Sequence, residues 1–487
     1  MSDKIFDIGI IGYGPVGATL SGLLSSLGLS VVVIEKNKGV SPTARAINTD
    51  SEQLRTFNFL SIATKVIANS RRLKKVHFTD SEFNPYSSID IPEEDKLGWP
   101  PTLLFYQPEL ETIIRSNNLK YKNLKILENT EVVKIESTDP VQVNIRNNRK
   151  DSSIYCKYLI GCDGANSFVR KYIKAKLVDF GFDQDWIVID AHTTKQIDIS
   201  IDEAKQICDP NRLKTYVPGR RNHKRFEFKL LKEETKKDFT KKKVWELLSP
   251  WINKNNSKIE RAVVYKFHAC IADKWRDNNI FIAGDAAHQM PPFLGAGMGT
   301  GIRDVFNLAW KIFLVIRGKA DEKLLETYQL EREPHANWTI QQAKLIGEMM
   351  EQYSYREKGE KYVPSSKGYG EVFPHLSRGY YGDPSDGLIA TPFCRFNLDS
   401  SKKDSDEYFG WNFGLISKKK LTKEINLIVK KMNIKVLSVN DNKLKNYFKD
   451  ANYLLIRPDK YLFSRSKTNS ELKEALSELE KQFSLIT

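Results

Sequence analysis

The spacing of apolar residues predicts a strand–turn–helix–strand unit over residues 5–36. A strand is predicted for Phe6–Ile11, and an amphipathic helix follows a glycine-rich turn and runs to about Leu27. Gly28 ends that helix, and the apolar run Val31–Ile34 predicts the next strand. This succession is typical of the first half of a nucleotide-binding fold.

Two later strand-then-helix patterns indicate that the same fold is assembled from separated pieces. They lie at Tyr158–Ile173 and Ile280–Ile316. Between them, at roughly 175–270, the pattern changes to alternating strands such as Trp186–Ala191 and Arg225–Leu230. We therefore predict an α/β fold in which a discontinuous Rossmann-like domain carries an inserted β-rich substrate domain.

The last part of the chain differs in composition from the rest. Tyr353–Arg378 is rich in Lys, Gly, Ser and Pro and indicates a linker or extended loop. Beyond it, the pattern predicts a small α/β module with strands at Phe413–Ile416 and Tyr453–Ile456 and helices at Thr422–Met432 and Ser470–Phe483. Leu73–Leu104 is also strand-like, so most of it is assigned to the inserted domain. The nucleotide-binding domain is predicted to comprise 1–72, 100–174 and 271–350, and the inserted domain 73–99 and 175–270. The linker is predicted at 351–378 and the module at 379–487.

The first glycine-rich turn carries the motif Gly12-Tyr13-Gly14-Pro15-Val16-Gly17. Gly12 permits the tight turn, Gly14 lets the backbone approach a pyrophosphate, and Gly17 allows close packing of helix on strand. The helix N-terminus offers unpaired N–H groups to phosphates. Glu35, followed by Lys36, ends the second strand and is placed to accept from ribose hydroxyls. This spacing predicts a dinucleotide site, but it fits FAD and NAD equally well.

Two further segments have the same strand-end chemistry. Cys162–Arg170 contains Asp163-Gly164, and Ile280–His288 contains Gly284-Asp285 before a glycine-rich run at 295–301. An acid at a strand end can accept from ribose or ribityl hydroxyls, and glycines before a helix let backbone N–H groups meet an electron-rich ring. Each segment alone also fits an ordinary turn. Their common order and separation favour a single site for FAD.

Composition excludes several other classes of protein. The chain has 76 basic and 61 acidic residues and a net charge of +15, yet its lysines are scattered among acidic residues and no nucleic-acid-binding pattern occurs. We therefore expect no nucleic-acid partner. No CxxC spacing is present, which argues against disulfides and a zinc or other metal site; the five dispersed cysteines are Cys156, Cys162, Cys208, Cys270 and Cys394.

The apolar runs of the chain are too short for a membrane span. The N-terminal run is broken by Asp7 and leads straight into the glycine motif, so it predicts a strand and not a signal peptide. The most apolar later stretch, Leu308–Ile316, contains Lys311. We expect a soluble, cytoplasmic protein without a membrane partner.

Several other segments carry a family resemblance together with the flavin segments. They are Ala44-Arg45-Ala46, Phe105-Tyr106-Gln107-Pro108-Glu109-Leu110, Gln184–Asp190, Arg225-Phe226-Glu227-Phe228, Gly284–Pro292, Asn307–Lys311, Gly410–Phe413 and Ile456–Tyr461. Over nearly its whole length the chain resembles the flavoprotein aromatic hydroxylases related to p-hydroxybenzoate hydroxylase, and among them most of all the 3-(3-hydroxyphenyl)propionate hydroxylases. The resemblance implies a thioredoxin-like C-terminal module; because this one has only Cys394, we expect no thiol redox role.

The resemblance also implies roles for individual residues. Those expected to contact FAD are Gly12, Gly14, Pro15, Val16 and Gly17 at the pyrophosphate, Glu35 and Lys36 at the adenosine ribose, Arg45 and Gln107 at the phosphate or ribityl region, Asp163 beside FAD and the incoming nicotinamide, Gly284 and Asp285 at the ribityl chain, and Pro292, Gly295, Gly297, Met298 and Gly299 beside the isoalloxazine. Many members have Gln and Asn where this chain has Ala296 and Gly299. Because backbone contacts dominate there, FAD binding should survive.

The catalytic residues are harder to predict than the cofactor site. Pro292, Tyr216 and His268 are the candidates, whereas His288 is expected to be structural. Arg220 and Arg221 are expected at an exposed hairpin tip. Arg225 is expected either to be structural or to face substrate.

The resemblance implies NAD(P)H- and O2-dependent hydroxylation of a phenolic aromatic substrate, with oxygen delivered from a flavin C4a-hydroperoxide. FAD is expected as the bound cofactor and NADH or NADPH as the transient co-substrate, with a homodimer as the assembly to test. Two alternatives stay open. One is an FAD-dependent reductase or dehydrogenase of a prenyl or polycyclic substrate, and the other is a flavin-bound protein without catalytic activity.

Overall fold

The computed structural model describes residues 4–356, 375–398, 403–439 and 444–486, and a parallel β-sheet lies at the centre of its first part. Val31–Ile34 is buried along its whole length, as expected for a strand covered on both faces. The parallel strands lie in the spatial order Ile280–Ile282, Lys150–Gly161, Ile5–Ile11, Val31–Ile34 and Leu124–Leu127. Arg276–Asp277 pairs antiparallel at one edge, and the strands Thr130–Thr138 and Val141–Asn147 extend the sheet from Lys150–Gly161.

The helix after the first strand begins and ends where the sequence predicts. It spans Pro15–Ser26, with proline in its first turn and Gly28 just beyond it at φ +78°. Proline suits the first turn because it has no N–H to leave unpaired, and glycine adopts positive φ without strain. The other α-helices before the C-terminal module are Ser51–Phe59, Ala63–Ala68, Gln107–Asn118, Phe168–Tyr172, Lys241–Leu248, Gly297–Ile316 and Thr327–Arg356, and short 3₁₀ helices lie at Lys236–Asp238, Gly284–Ala286, Pro292–Leu294, Glu322–Glu326 and Pro384–Asp386.

A second, mostly antiparallel sheet is built from the segments between these pieces. Two of its strands, Leu177–Thr193 and Ser257–Ala272, are unusually long and pair along most of their length. Only Glu203–Ile207 and Lys75–Thr79 pair in parallel. The spatial order is His288–Gln289, Ser257–Ala272, Leu177–Thr193, His223–Lys229, Lys214–Val217, Glu203–Ile207, Lys75–Thr79 and Pro85–Asp90. A third, small sheet joins Asn48–Asp50, Thr102–Leu104 and Arg71–Arg72.

The helix Thr327–Arg356 corrects one sequence-based expectation. It continues through Pro334, so the first residues of the predicted linker, 351–356, are helical. Met350 is fully buried, which shows that packing against the core continues to the end of the nucleotide-binding part. Residues 357–374 of the predicted linker lie outside the described residues.

The C-terminal module is a four-stranded mixed sheet with helices around it. Its strands lie in the order Lys435–Ser438, Gly414–Ser417, Tyr453–Ile456 and Leu462–Ser466, and its helices are Ser405–Phe409, Lys423–Lys431, Lys445–Phe448 and Asn469–Gln482. The two predicted strands and the two predicted helices agree with these bounds to within about two residues. The likeness of this module to thioredoxin stays a prediction.

Buried ion pairs join the C-terminal module to the rest of the chain. Arg55 donates to Asp406 at 2.8 Å, and Arg457 donates to Glu331 at 2.6 Å, with all four side chains nearly inaccessible to solvent. Breaking one side of such a pair leaves a buried charge without its partner, which typically costs 3–5 kcal/mol. The module is therefore held in one position. Within the described ranges, no helix is both long and apolar enough to cross a membrane.

Candidate FAD site

The glycines of the first turn have three different environments, which match the three roles expected of them. Gly12 has φ +97°, and a Cβ there would overlap the backbone of Cys162. A Cβ on Gly17 would overlap the carbonyl oxygen of Gly12. Around Gly14, in contrast, no atom of the described residues lies within 4 Å of the Cβ position, and the helix that begins after it has no side-chain cap. The turn thus offers open backbone and free N–H groups to an anionic ligand.

Glu35 shapes the same turn. One of its carboxylate oxygens accepts from the backbone N–H of Tyr13 at 2.8 Å, and the other accepts from the backbone and side chain of Asn37 at 2.8 and 3.0 Å. Each carboxylate oxygen has two lone pairs, so the group retains capacity for a ribose hydroxyl. Lys36 is exposed beside it.

The third segment places one carboxylate at the crevice without a protein partner. The Asp285 side chain is exposed to solvent, and no donor of the described residues reaches it. The protein around the Asp285 carboxylate disfavours its charged form and raises its pKa, and the nearby His288 and Arg45 oppose this effect. An acceptor held in this way suits a hydroxyl-bearing ligand such as the ribityl chain of a flavin.

A buried network beneath Asp285 fixes the position of its loop. Asp304 accepts from the backbone of Gly284 at 3.1 Å, from His288 at 2.7 Å and from Arg332 at 3.0 Å. Burial alone would raise the pKa of Asp304, but His288 and Arg332 hold it below its ordinary value. His288 is therefore a structural partner of a buried carboxylate and does not face the crevice.

The glycine-rich run forms the next side of the crevice. Pro292–Leu294 is a short 3₁₀ helix, and Gly295 follows it at φ +63° before the helix Gly297–Ile316 begins without a side-chain cap. A Cβ on Gly299 would overlap the side-chain amide of Gln53. The Gln53 amide thus occupies the space beside Gly299, where many family members carry an asparagine. Gln53 was not predicted from the sequence, because no local pattern connects it to Gly299.

The loop that contains Arg45 is held from two sides by its backbone. The side-chain oxygen of Gln107 accepts from the N–H groups of Arg45 and Ala46, both at 2.7 Å. On the other side, Arg225 donates to the carbonyl oxygens of Ala44 and Arg45, both at 2.6 Å. The Arg45 side chain itself is exposed. Gln107 therefore positions the loop, and Arg45 is the member of the pair that is free to contact a ligand.

Arg225 belongs to a buried cluster on the second sheet. Asp190 is fully buried and accepts from Arg225 at 2.9 Å, from His223 at 2.9 Å and from Arg261 at 2.5 Å. Burial would raise the pKa of Asp190, but Arg225 and His223 hold it well below its ordinary value. Arg261 also donates to the carbonyl oxygen of Ala44. Of the two roles expected for Arg225, the structure gives it the structural one.

Asp163 acts as a cap for its own segment. Its carboxylate accepts from the hydroxyl of Ser167 at 2.5 Å and from the backbone of Phe168 and Val169 at 2.7 and 3.1 Å. Arg170 then joins this segment to the third by donating to the carbonyl oxygens of Ala165 and Ala286. The second segment is thus fixed against the crevice, but the Asp163 carboxylate is largely taken up by its own loop.

Two of the candidate catalytic residues, Tyr216 and His268, lie outside the glycine-rich loop and the crevice described above. The Tyr216 hydroxyl donates to the carbonyl oxygen of Ser200 at 2.7 Å, in a core that packs on the helix Lys241–Leu248. His268 is a surface side chain paired with Asp183 at 3.4 Å. Pro292 alone among the three lies in the glycine-rich loop.

The prediction of an exposed hairpin tip is correct for only one of its two arginines. Arg221 is 69% exposed, as predicted, whereas Arg220 is 7% exposed, pairs with Glu109 and donates to Asn69 at 2.9 Å. The hairpin folds onto the helix Gln107–Asn118, so one of its two arginines is buried. The sequence pattern of the hairpin contains no sign of this packing.

Comparison with known proteins agrees with this geometry. Residues 6–343 match the model of the family described as "FAD binding domain". The chain belongs to this FAD-binding family. The open Gly14 turn, the uncapped helix N-terminus and the unpartnered Asp285 fit the pyrophosphate and ribityl chain of FAD, the cofactor of the family.

Curated relatives match the chain over about 70% of its length. A protein named "Probable NADH-specific resorcinol 4-hydroxylase" from Rhodococcus jostii is 34% identical over 349 residues, which are 71% of this chain and 65% of that protein. A "3-(3-hydroxy-phenyl)propionate/3-hydroxycinnamic acid hydroxylase" from Escherichia coli is 31% identical over 70% of this chain and 62% of its own length. The match thus spans somewhat less than two thirds of these relatives.

Solved structures share the whole fold. A complex of aklavinone-11 hydroxylase with FAD and aklavinone aligns with 99% of this chain and 100% of its own at a TM-score of 0.84 and 18% identity. The flavin-dependent monooxygenase PieE aligns over the same shares at a TM-score of 0.79 and 17% identity. At these identities the likeness establishes the mixed α/β fold, including the C-terminal module.

Proposed function

We propose that the protein hydroxylates a phenolic aromatic compound with NAD(P)H and O2, using FAD as its bound cofactor. The proposal rests on two observations: the Asp285 carboxylate has no hydrogen-bond donor among the described residues, and the uncapped glycine-rich loop meets the second sheet through the contact of Phe293 with Trp186. The two curated relatives described above bear the names of phenol hydroxylases, and resorcinol and 3-(3-hydroxyphenyl)propionate are both phenols. When bound, FAD supplies the transfer of electrons from NAD(P)H and the activation of oxygen.

The chain's own residues would bind and orient FAD. The N–H groups at the start of the helix Pro15–Ser26 would hold the pyrophosphate, Glu35 the adenosine ribose, and Asp285 the ribityl hydroxyls. We assign the rest of the proposed cofactor set to the same role: Gly12, Gly14, Pro15, Val16, Gly17, Lys36, Arg45, Gln107, Asp163, Gly284, Pro292, Gly295, Gly297, Met298 and Gly299. Of these, Gln107 and Asp163 act by fixing loops.

The second sheet would cover the reacting ring of the substrate. Trp186 on its long strand contacts Phe293 of the glycine-rich loop, with ring centroids 5.3 Å apart. This apolar contact closes one end of the space between sheet and loop, which would keep water from the reacting atoms. We assign the FAD-binding role to residues 1–72, 100–174 and 271–350, the substrate-binding role to 73–99 and 175–270, and a thioredoxin-like architecture to 379–487.

A phenol panel tests the proposal. The purified holoprotein is incubated with NADH or NADPH, air and a single phenol, beginning with resorcinol and 3-(3-hydroxyphenyl)propionate, and hydroxylated product is quantified against NAD(P)H consumed. We expect at least one phenol to accelerate NAD(P)H oxidation and to yield product in nearly equal amount. Acceleration without product, with hydrogen peroxide formed instead, identifies that phenol as an uncoupling effector. Failure of every phenol on the panel to yield product contradicts the proposed function and favours a reductase or a flavin-bound protein without catalytic activity.

A further inference from the structure

One buried carboxylate in the second sheet has no role in the network described so far. Glu227 is 6% exposed, and no donor of the described residues reaches its carboxylate. Arg225, two residues earlier in the strand, donates hydrogen bonds to three residues, and the neighbouring Asp190 accepts hydrogen bonds from three. A buried charge without a protein hydrogen bond is costly, and a catalytic role is one of the reasons for which proteins keep such a group.

The strand register places Glu227 on the face of the sheet that looks toward the FAD crevice. Alternate residues of a strand lie on the same face, so Glu227 shares its face with Arg225, whose guanidinium reaches the Arg45 loop. The intervening Phe226 and the following Phe228 lie on the opposite face, in the core that packs on the helix Lys241–Leu248. Glu227 therefore points away from that core and toward the flavin part of the chain.

Contacts on both sides mark the position of Glu227 along that face. Its cross-strand partners are Val188 on one neighbouring strand and Thr215 on the other. Along the pairing with Val188, the next pairs on the same face are Asp190 with Arg225 and Trp186 with Lys229. The first of these pairs contacts the Arg45 loop, and Trp186 contacts Phe293 in the glycine-rich loop. Glu227 thus lies between these two contacts, on the face of the sheet that meets the FAD-binding part of the chain.

The surroundings of Glu227 raise its pKa above that of an ordinary glutamate. Burial raises its pKa to about 6, with Arg225 and Arg261 opposing this effect and Asp190 adding to it. On the same face, Lys229 forms an ion pair with Glu351. A carboxylate with such a pKa is ionised at physiological pH and is a stronger base than an ordinary glutamate.

We propose that Glu227 is the catalytic residue that accepts the proton of the substrate's phenolic hydroxyl; this rests on the proposed function. The phenol O–H bond breaks, its proton bonds to a carboxylate oxygen of Glu227, and the electron pair left on the phenolic oxygen moves into the ring as a ring carbon bonds one atom of O2. The O–O bond breaks, and the second oxygen atom leaves as water with the electrons that NAD(P)H supplies. That carbon then loses its hydrogen as a proton while the phenolic oxygen takes one up, and Glu227 releases its proton to water. Overall, phenol, O2, NAD(P)H and one proton give the hydroxylated phenol, NAD(P)⁺ and water.

The variant Glu227→Gln tests the assignment, because it keeps the shape of the side chain and removes its basicity. With a phenol that the wild-type enzyme hydroxylates, we expect the rate of product formation to fall by at least about a hundredfold, the usual contribution of a general base. FAD content should be unchanged. The wild-type rate should also decline as pH falls through about 6, and the variant should lack that dependence. Glu246→Gln, on an exposed face of the helix Lys241–Leu248, is the matched control and should behave as wild type.

Two further measurements separate a proton acceptor from a structural residue. Phenols with electron-withdrawing substituents are more acidic and depend less on a base. The loss of rate caused by Glu227→Gln should therefore become smaller as the pKa of the phenol falls. Without NAD(P)H, binding of resorcinol to the oxidised holoenzyme, followed by the flavin spectrum, should tighten above about pH 6 in the wild type only. If Glu227→Gln hydroxylates phenols at the wild-type rate and with the wild-type pH profile, or loses all phenols equally, the assignment is overturned. Absence of hydroxylation in the wild type would instead reject the proposed function.

Discussion

The stability of Glu227→Gln should depend on pH in a direction opposite to that of most carboxylate variants. Burial raises the pKa of Glu227 from its ordinary value of 4.5 to about 6. Well below pH 4.5 the carboxyl is protonated in both the folded and the unfolded protein, so its ionisation does not lower the free energy of unfolding at such pH values. As pH rises from 4.5 to 6, the unfolded chain loses the proton first, and the folded protein loses stability. At 1.36 kcal/mol per pKa unit, the loss amounts to about 2 kcal/mol above pH 6.

Gln at position 227 removes this pH-dependent cost. The difference in unfolding free energy, variant minus wild type, should therefore become more positive by about 2 kcal/mol between pH 4.5 and pH 7. Urea unfolding of the ligand-free proteins across this range measures it, with Glu246→Gln as the control. Comparing this difference in unfolding free energy at two pH values cancels any pH-independent cost of burying the Gln amide. Parallel pH curves for variant and wild type would show that the Glu227 carboxylate is not desolvated, and would refute the reasoning about its environment.

Three further predictions concern the cofactor site and the module interface. Gly14→Ala should fold with wild-type stability, because no atom in the described part of the chain lies within 4 Å of its Cβ. It should bind FAD at least about tenfold more weakly in a flavin fluorescence titration, since the methyl group would stand where the pyrophosphate approaches. Gly17→Ala should lower the unfolding free energy by about 1–3 kcal/mol in urea, because its Cβ overlaps backbone. Arg457→Met should leave the Glu331 carboxylate buried beside a single remaining cation, cost about 3–5 kcal/mol, and speed release of the C-terminal module in limited proteolysis.

Each of these predictions has an outcome that would contradict it. Wild-type FAD affinity for Gly14→Ala would mean that the pyrophosphate does not approach that turn. Wild-type stability of Gly17→Ala would mean that helix and strand can separate there without cost. For Arg457→Met, the control is Lys473→Met, which removes an exposed pair with Glu424 worth at most about 1 kcal/mol. Equal proteolysis rates for the two variants would show that the buried pair does not hold the module.

The cofactor turns could be predicted from the sequence because their chemistry is local. Gly12, Gly14 and Gly17 lie within one strand–turn–helix unit, and the roles expected of them require only that this unit forms. Asp285 likewise lies at the end of its own strand. In both cases the residues that matter are a few positions apart in the chain, so the spacing alone contains the information.

The wall of the site could not be predicted, because it depends on the register between distant strands. Arg225 reaches the carbonyl of Arg45 across 180 positions of sequence, and Asp190 meets Arg261 across 71. A strand pattern does not specify which residues lie opposite one another, and a shift by one position would turn Glu227 to the other face. The same limitation explains Tyr216, a polar aromatic residue in a predicted strand that faces the wrong side of its sheet.

The central claim, hydroxylation of a phenol at an FAD site, is tested most directly with isotopically heavy dioxygen. The holoprotein is supplied with NAD(P)H, heavy O2 and the most active phenol of the panel, and the product is examined by mass spectrometry alongside the Asp285→Ala variant. We expect the wild-type product to carry one heavy oxygen atom, and Asp285→Ala to retain little FAD and to form little product. Product oxygen derived from water, or full activity in a protein without FAD, would contradict it.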